Sequence, residues 1–123
     1  MQTIDSSYKI ANKMGTALHI DGIRHFEAVA IMGEKESDAK CDSIALSFEH
    51  CVGAPFGGMF VGSEEVVDMA RKMRKSLGGG MRQVGVVCAA AYEGMTRYRE
   101  NAIRSHEHAR QMFSALSELD GIV

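Results

Sequence analysis

Asp21 precedes Gly22 and lies three residues before Arg24, so a helix starting between them would bring a carboxylate and a guanidinium to one edge. A guanidinium there can offer its forked donors to an oxygen or a carboxylate. The same residues also read as a simple Asp-Gly turn followed by a solvated arginine. His50 lies in the run Glu49-His50-Cys51-Val52-Gly53-Ala54-Pro55. An imidazole titrates near neutrality, and as a general base it contributes about 10²- to 10⁴-fold where geometry permits. His50 also reads as a partly exposed side chain without a chemical role. Arg82 follows Gly78-Gly79-Gly80 and is expected to open a helix, where free backbone N–H groups and a cation together attract an anion. Lys75 is placed to assist. A run of glycines is also a flexible break, and this one does not fit the phosphate-cradling G-x-x-x-x-G-K-[ST] pattern.

No metal is expected. His106 and His108 flank Glu107, but side chains two apart on a helix point to different faces, and H-E-x-x-H is not formed. Cys41, His50 and Cys51 lack zinc-ligand spacing.

The elements that must position these groups belong to a chain of 123 residues, about one domain's worth. Apolar residues make up 46% and charged residues 24%, which excludes a disordered or collagen-like chain. A net charge of -2 gives no polyelectrolyte pull toward nucleic acid or anionic lipid. The irregular set Cys41, Cys51 and Cys88 fits a reducing compartment, with the cytoplasm as the default. The apolar stretch Val84 to Tyr92 is half the length of a membrane span, which takes about 18 residues, and the start MQTIDSSYKI does not read as a secretory signal.

Periodicity predicts a short helix through Tyr8, Ile10, Ala11 and Met14 that Gly15 closes. A strand over Ala17–Ile20 would leave Asp21 just beyond its carboxyl end, the edge where open α/β sheets collect ligands. A helix over Ile23–Met32 stopped by Gly33 follows, then the charged loop GEKESDAK, then strands over Ser43–Phe48 and Gly58–Val61. Ser63 reads as the N-cap of a helix that buries Val66, Met69, Ala70, Met73 and Leu77, with Glu64 and Glu65 first and Arg71, Lys72, Arg74 and Lys75 last. Helices over Arg82–Tyr98, with Val84, Val87, Cys88, Ala91 and Met95 on one face, and Asn101–Leu119, with Ile103, Ala109, Phe113 and Leu116, complete an α-β-α-β-β order with a helical tail. So few short strands leave unpaired edges, and the fold class expected is α/β, a part of a larger domain.

Three runs carry a resemblance: LHIDGIRHFEAVA at Leu18 to Ala30, CDSIALSFEHCVGAPFGGMFVGS at Cys41 to Ser63, and RKMRKSLGGGMRQVGVVCAAA at Arg71 to Ala91. In order and spacing the chain resembles the threonine aldolases, pyridoxal-phosphate enzymes of the beta-eliminating lyase family, over about Ser6 to Leu119. The resemblance implies a piece of the large domain of fold-type I pyridoxal-phosphate enzymes, spanning residues 1–123. The first half of that domain, with its phosphate loop and ring-stacking side chain, and the carboxyl-terminal small domain have no counterpart in this chain.

By the same resemblance Asp21 would keep the pyridine nitrogen protonated, Arg24 would line the cofactor site, and Arg82 and Lys75 would lie near the entrance and the subunit boundary. The family's Ser-Lys-Gly-Leu-Gly-Ala-Pro, whose lysine forms the Schiff base, is replaced here by the run around His50. Imidazole is not a primary amine, so covalent attachment of the cofactor is not expected. Some sugar dehydratases of the same broad fold class carry a histidine there. The activity implied is cleavage of threonine to glycine and acetaldehyde, degenerate without the lysine. The other reading is a non-catalytic or truncated relative that packs against an aldolase-like subunit, in a homo- or hetero-oligomer.

Overall fold

The computed structural model describes residues 2–35 and 39–121, so Glu36, Ser37 and Asp38 of the charged loop lie outside the described residues. Among the described residues the elements run α1 (Gln2–Lys13), β1 (His19–Gly22), α2 (His25–Met32), β2 (Ser43–Ser47), β3 (Gly58–Gly62), α3 (Glu64–Ser76), α4 (Gly85–Met95) and α5 (Tyr98–Ser117). This is the order read from the sequence.

The sheet has the order β1-β2-β3. β1 and β2 are parallel, with Asp21 opposite Ala45 and Gly22 opposite Leu46, and α2 forms the crossover that a parallel pair requires. β3 returns antiparallel on β2, pairing Ala45 with Phe60 and Ser47 with Gly58. Gly22 is demanded by close approach, because a Cβ there would sit 2.7 Å from the carbonyl oxygen of Ala45.

Local signals and structure agree at several ends. Gly33 takes φ 68°, and its N–H bonds back to the Val29 carbonyl, ending α2. The Ser63 hydroxyl accepts the Val66 N–H at 3.5 Å and caps α3.

Other ends move. α1 begins at Gln2, ahead of the expected serines. β1 includes Asp21 and Gly22, because backbone pairing with β2 continues through both, so Asp21 belongs to the strand rather than to the segment beyond it. α4 starts at Gly85, leaving Arg82 in the preceding turn instead of opening the helix. α5 starts at Tyr98, whose ring is buried in the core.

That core gathers Phe26, Val29 and Ala30 of α2, Cys51 and Val52 of the turn after β2, and Tyr98 and Ala102 of α5, with Leu46, Phe48 and Met95 against it. Phe26 meets Tyr98 edge-on at 5.2 Å and stacks on Phe48 at 6.1 Å. These are favourable arrangements for ring quadrupoles. The stripe expected to be buried on α3 is not. No α3 residue is buried, and Met69, Met73 and Leu77 face solvent. On α4 only Val87 and Ala91 are buried, while Val84 and Cys88 are exposed. On α5 Ile103, Ala109, Phe113 and Leu116 are exposed. The apolar spacing is present, but no element among the described residues covers it.

Candidate functional site

Because β1 and β2 run parallel, both deliver their carboxyl ends to the same sheet edge. Asp21 closes on this edge from β1, one residue before the strand's end. Its Oδ1 accepts the Ile23 N–H at 3.4 Å, a local turn that leaves the second carboxylate oxygen available. Arg24 is the N-cap residue of α2 and makes no side-chain cap bond. It remains exposed, its Nη1 3.5 Å from Glu27 Oε1.

From β2 the chain passes through Ser47, whose hydroxyl accepts the Glu49 N–H at 3.2 Å, and enters the turn carrying His50. A backbone bond from the Gly53 N–H to the His50 carbonyl (3.0 Å) and another from Ala54 N–H to the Phe48 carbonyl (2.8 Å) close the turn, with Gly53 at φ 78°. His50 is half-buried, and among the described residues its imidazole has no hydrogen-bond partner.

Two residues that the sequence reading passed over fasten this turn. Glu27 Oε1 accepts the Cys51 N–H at 3.1 Å, so one carboxylate oxygen lies between the Arg24 guanidinium and the backbone beside His50. Asn101 on α5 donates its Nδ2 to the Cys51 carbonyl at 3.3 Å. The i, i+3 spacing of Arg24 and Glu27 on one helix face was the available signal for the first. Nothing local pointed to Asn101. Gly94 adds a third restraint, since a Cβ there would fall 2.0 Å from the Val52 carbonyl oxygen; α4 crosses the turn where only glycine fits.

Cys51 is biased toward its thiol form and away from the nucleophilic thiolate. Burial, then the charge and hydrogen bond of Glu27, push its thiol up to about 11. Cys41 is raised in the same direction by burial and by Asp42.

Lys75 and Arg82 come together at a second place. With Arg71, Lys72, Arg74, Gly80 and Met81 they line a groove of about 420 Å³ at the end of α3, and none of Asp21, Arg24 or His50 lines it. Arg71 is paired with Asp68 at 2.8 Å, but no acid lines the groove itself. Five cationic side chains around one groove make an anion-attracting field. Arg82 reaches it from a turn, not from a helix N-terminus. His106 and His108 are exposed on α5, and among the described residues no group of three His, Cys, Asp or Glu side chains is arranged to hold a metal.

A short mixed sheet whose parallel strands end at a turn held by helices defines the class, an α/β layer. The beta-eliminating lyase family model matches residues 1–123, and the chain belongs to that family. It is 46% identical over 102 residues to aldolase vrtJ of Penicillium aethiopicum, covering 81% of this chain and 26% of that protein. With low-specificity L-threonine aldolase 1 of Arabidopsis thaliana it shares 36% over 116 residues, which is 93% of this chain and 32% of the relative. The fold superposes with a TM-score of 0.84 on a crystal structure from Listeria monocytogenes whose assigned activity is L-allo-threonine aldolase, at 19% identity, over 96% of this chain and 33% of that one. The chain therefore spans about a third of the length of such relatives.

Proposed function

We propose that this chain is a threonine-aldolase-like carbon–carbon lyase segment whose covalent cofactor anchor has been lost at His50. One observation carries the reading. Parallel pairing brings Asp21 to the edge from which the His50 turn departs, and Glu27 ties that turn to the helix end that bears Arg24. The relatives' names, low-specificity threonine aldolases among them, support the reaction class.

The donor set fits pyridoxal phosphate in part. Asp21 would hold the pyridine nitrogen protonated with its free oxygen, and Arg24 would offer donors to the ring oxygen or to the carboxylate of an amino-acid substrate. Arg82 and Lys75, across the basic groove, would attract an anion near a subunit boundary. When bound, the cofactor supplies an electron sink for the bond cleaved at the amino acid's Cα. At the anchor the fit fails: imidazole cannot condense with an aldehyde to the Schiff base that a primary amine makes. His50 would then act only as a base, holding or moving a proton at its ring nitrogen. The exposed faces of α3 and α5 favour a second reading, a non-catalytic relative that packs on an aldolase-like subunit.

The test is to add pyridoxal phosphate to the purified chain, record its spectrum, and assay glycine and acetaldehyde released from threonine for the wild type and for His50→Lys. We expect no Schiff-base band and no turnover in the wild type, and a Schiff-base band in His50→Lys alone. Robust wild-type turnover would overturn the degenerate reading.

A further inference from the structure

Asp-Gly occurs twice in the chain, within Ile20-Asp21-Gly22-Ile23 and within Leu119-Asp120-Gly121-Ile122, and Asn-Gly does not occur. The dipeptide carries a reaction of its own. The glycine's backbone nitrogen can attack the aspartate's side-chain carboxyl carbon, because no Cβ on the glycine stands in the way. A bond forms between that nitrogen and Cγ, a Cγ–O bond breaks, and the oxygen leaves with the amide and carboxyl protons as water. Water then opens the five-membered imide ring at either of its carbonyl carbons. Opening at Cγ restores aspartate, whereas opening at the main-chain carbonyl gives isoaspartate, with the backbone running through the side chain. No oxidant or reductant is needed. As local sequences the two sites are near equals.

The fold makes them unequal. Asp21 and Asp120 are both exposed, so access to the acid does not separate them. The glycines do. Gly22 is buried in β1, opposite Leu46 of β2, and ring closure would turn its peptide out of the extended form and break the ladder. Its surroundings are also tight, since a Cβ on Gly22 would sit 2.7 Å from the Ala45 carbonyl oxygen and 2.9 Å from Ile44 Cδ1. At the other site α5 has already ended at Ser117, and among the described residues the last backbone bond of that end runs from the Leu119 N–H to the Leu116 carbonyl at 3.1 Å. Gly121 is exposed, stands at φ 86°, and among the described residues a Cβ placed on it would meet open space. Such a segment reaches the ring-closing geometry at little cost, whereas Gly22 reaches it only when the sheet edge opens.

We propose that Asp120 is a modification site, the place where this chain isomerises spontaneously to isoaspartate, and that Asp21 is kept as aspartate by its strand. Burial of Gly22 in the ladder thus preserves the carboxylate at the sheet edge. The proposal stands whether or not the lyase reading holds.

The test is to hold the 123-residue chain at neutral pH and body temperature for several weeks, digest it, and read the peptides by electron-transfer mass spectrometry, which separates isoaspartate from aspartate of equal mass. Isoaspartate at position 120 should exceed that at position 21 by about tenfold or more. In the urea-unfolded chain the two should come within about threefold of each other, which assigns the difference to the fold. Methyl transfer from S-adenosylmethionine by a protein-isoaspartate methyltransferase should rise with incubation in the wild type. It should stay at its starting level in Asp120→Glu, whose longer side chain would have to close a six-membered ring, and circular dichroism checks that this exposed variant is folded. An absence of isoaspartate at position 120, equal amounts at both positions in the folded chain, a preference that survives unchanged in urea, or undiminished methyl transfer in folded Asp120→Glu would each overturn the proposal.

Discussion

Helices α2 and α3 both carry apolar residues, yet they meet opposite fates. In α2, Phe26, Val29 and Ala30 are buried against α5 and the turn after β2, and Val29 is fully enclosed. In α3 no residue is buried. The difference lies partly in composition, α2 being apolar nearly all round while α3 carries seven charged residues beside its stripe, and partly in the supply of a partner: α2 has α5 against it, whereas nothing among the described residues covers the outer face of α3. α5 shows both outcomes in one helix. Tyr98 and Ala102 are buried near its start, and Phe113 and Leu116, on the same face further along, are exposed. An apolar stripe states a need for cover; only the rest of the structure states whether the need is met.

The sharpest way to test this contrast is to remove one large side chain from each region. Phe26→Ala should cost about 3–5 kcal/mol of unfolding free energy, the usual loss for a buried phenylalanine, whereas Leu116→Ala in the exposed half of α5 should stay within about 0.5 kcal/mol. Urea denaturation followed by circular dichroism measures both. Equal losses would mean that the second half of α5 is covered after all.

Gly94→Ala comes next. Its methyl group would strike the Val52 carbonyl, and forcing the turn away from α4 should cost about 1–3 kcal/mol. Thermal unfolding would report it as a lowered midpoint.

Glu27→Ala should cost about 1–2 kcal/mol by stranding the Cys51 N–H, and Glu27→Gln, which keeps an acceptor, should recover part of that loss. The same pair tests the thiol. In the folded chain Cys51 keeps its proton up to about 11 rather than losing it near 9.0, so its contribution to stability is present below pH 9.0 and is lost as the pH climbs toward 11. Removing Glu27 takes away one cause of that shift, so Cys51 should alkylate faster at about pH 9 in the variant, while exposed Cys88 reacts first in both. Rates followed by mass spectrometry would decide.

The smallest effect has the opposite sign. The Tyr98 hydroxyl is buried with no hydrogen-bond partner among the described residues. Tyr98→Phe should therefore be neutral or stabilising by up to about 1 kcal/mol, since it removes a polar group left without a partner. A clear destabilisation would show that the hydroxyl has a partner.

Much of the local punctuation was legible before the fold was known. Gly33 ends its helix because a left-handed residue can close the last turn, and Ser63 starts one because a short hydroxyl side chain can reach back to a free N–H. Both depend on a few neighbouring atoms. The candidate site was legible only in part. His50, Asp21 and Arg24 could be picked out by residue type and by the resemblance, and Glu27 by its spacing from Arg24. Asn101 and Gly94 could not, because each acts across a distance in sequence: Asn101 on the Cys51 carbonyl, and Gly94 by letting α4 approach Val52. Arg82 was misplaced for a similar reason, since a helix start in a Gly-rich stretch is set by which N–H groups find acceptors, not by the first good helix former.

What the sequence by itself determined is chemistry and period: which residues can carry a proton or a charge, that position 50 holds no primary amine, the order of helices and strands, and the faces that are apolar. Tertiary structure decided which of those faces are buried, how β1 slides along β2 so that Asp21 stays within the strand, and which remote side chains hold the His50 turn. Bond-forming capacity and periodicity are properties of residues and their near neighbours, whereas burial and register are properties of surfaces meeting, and a surface exists only once the chain has folded.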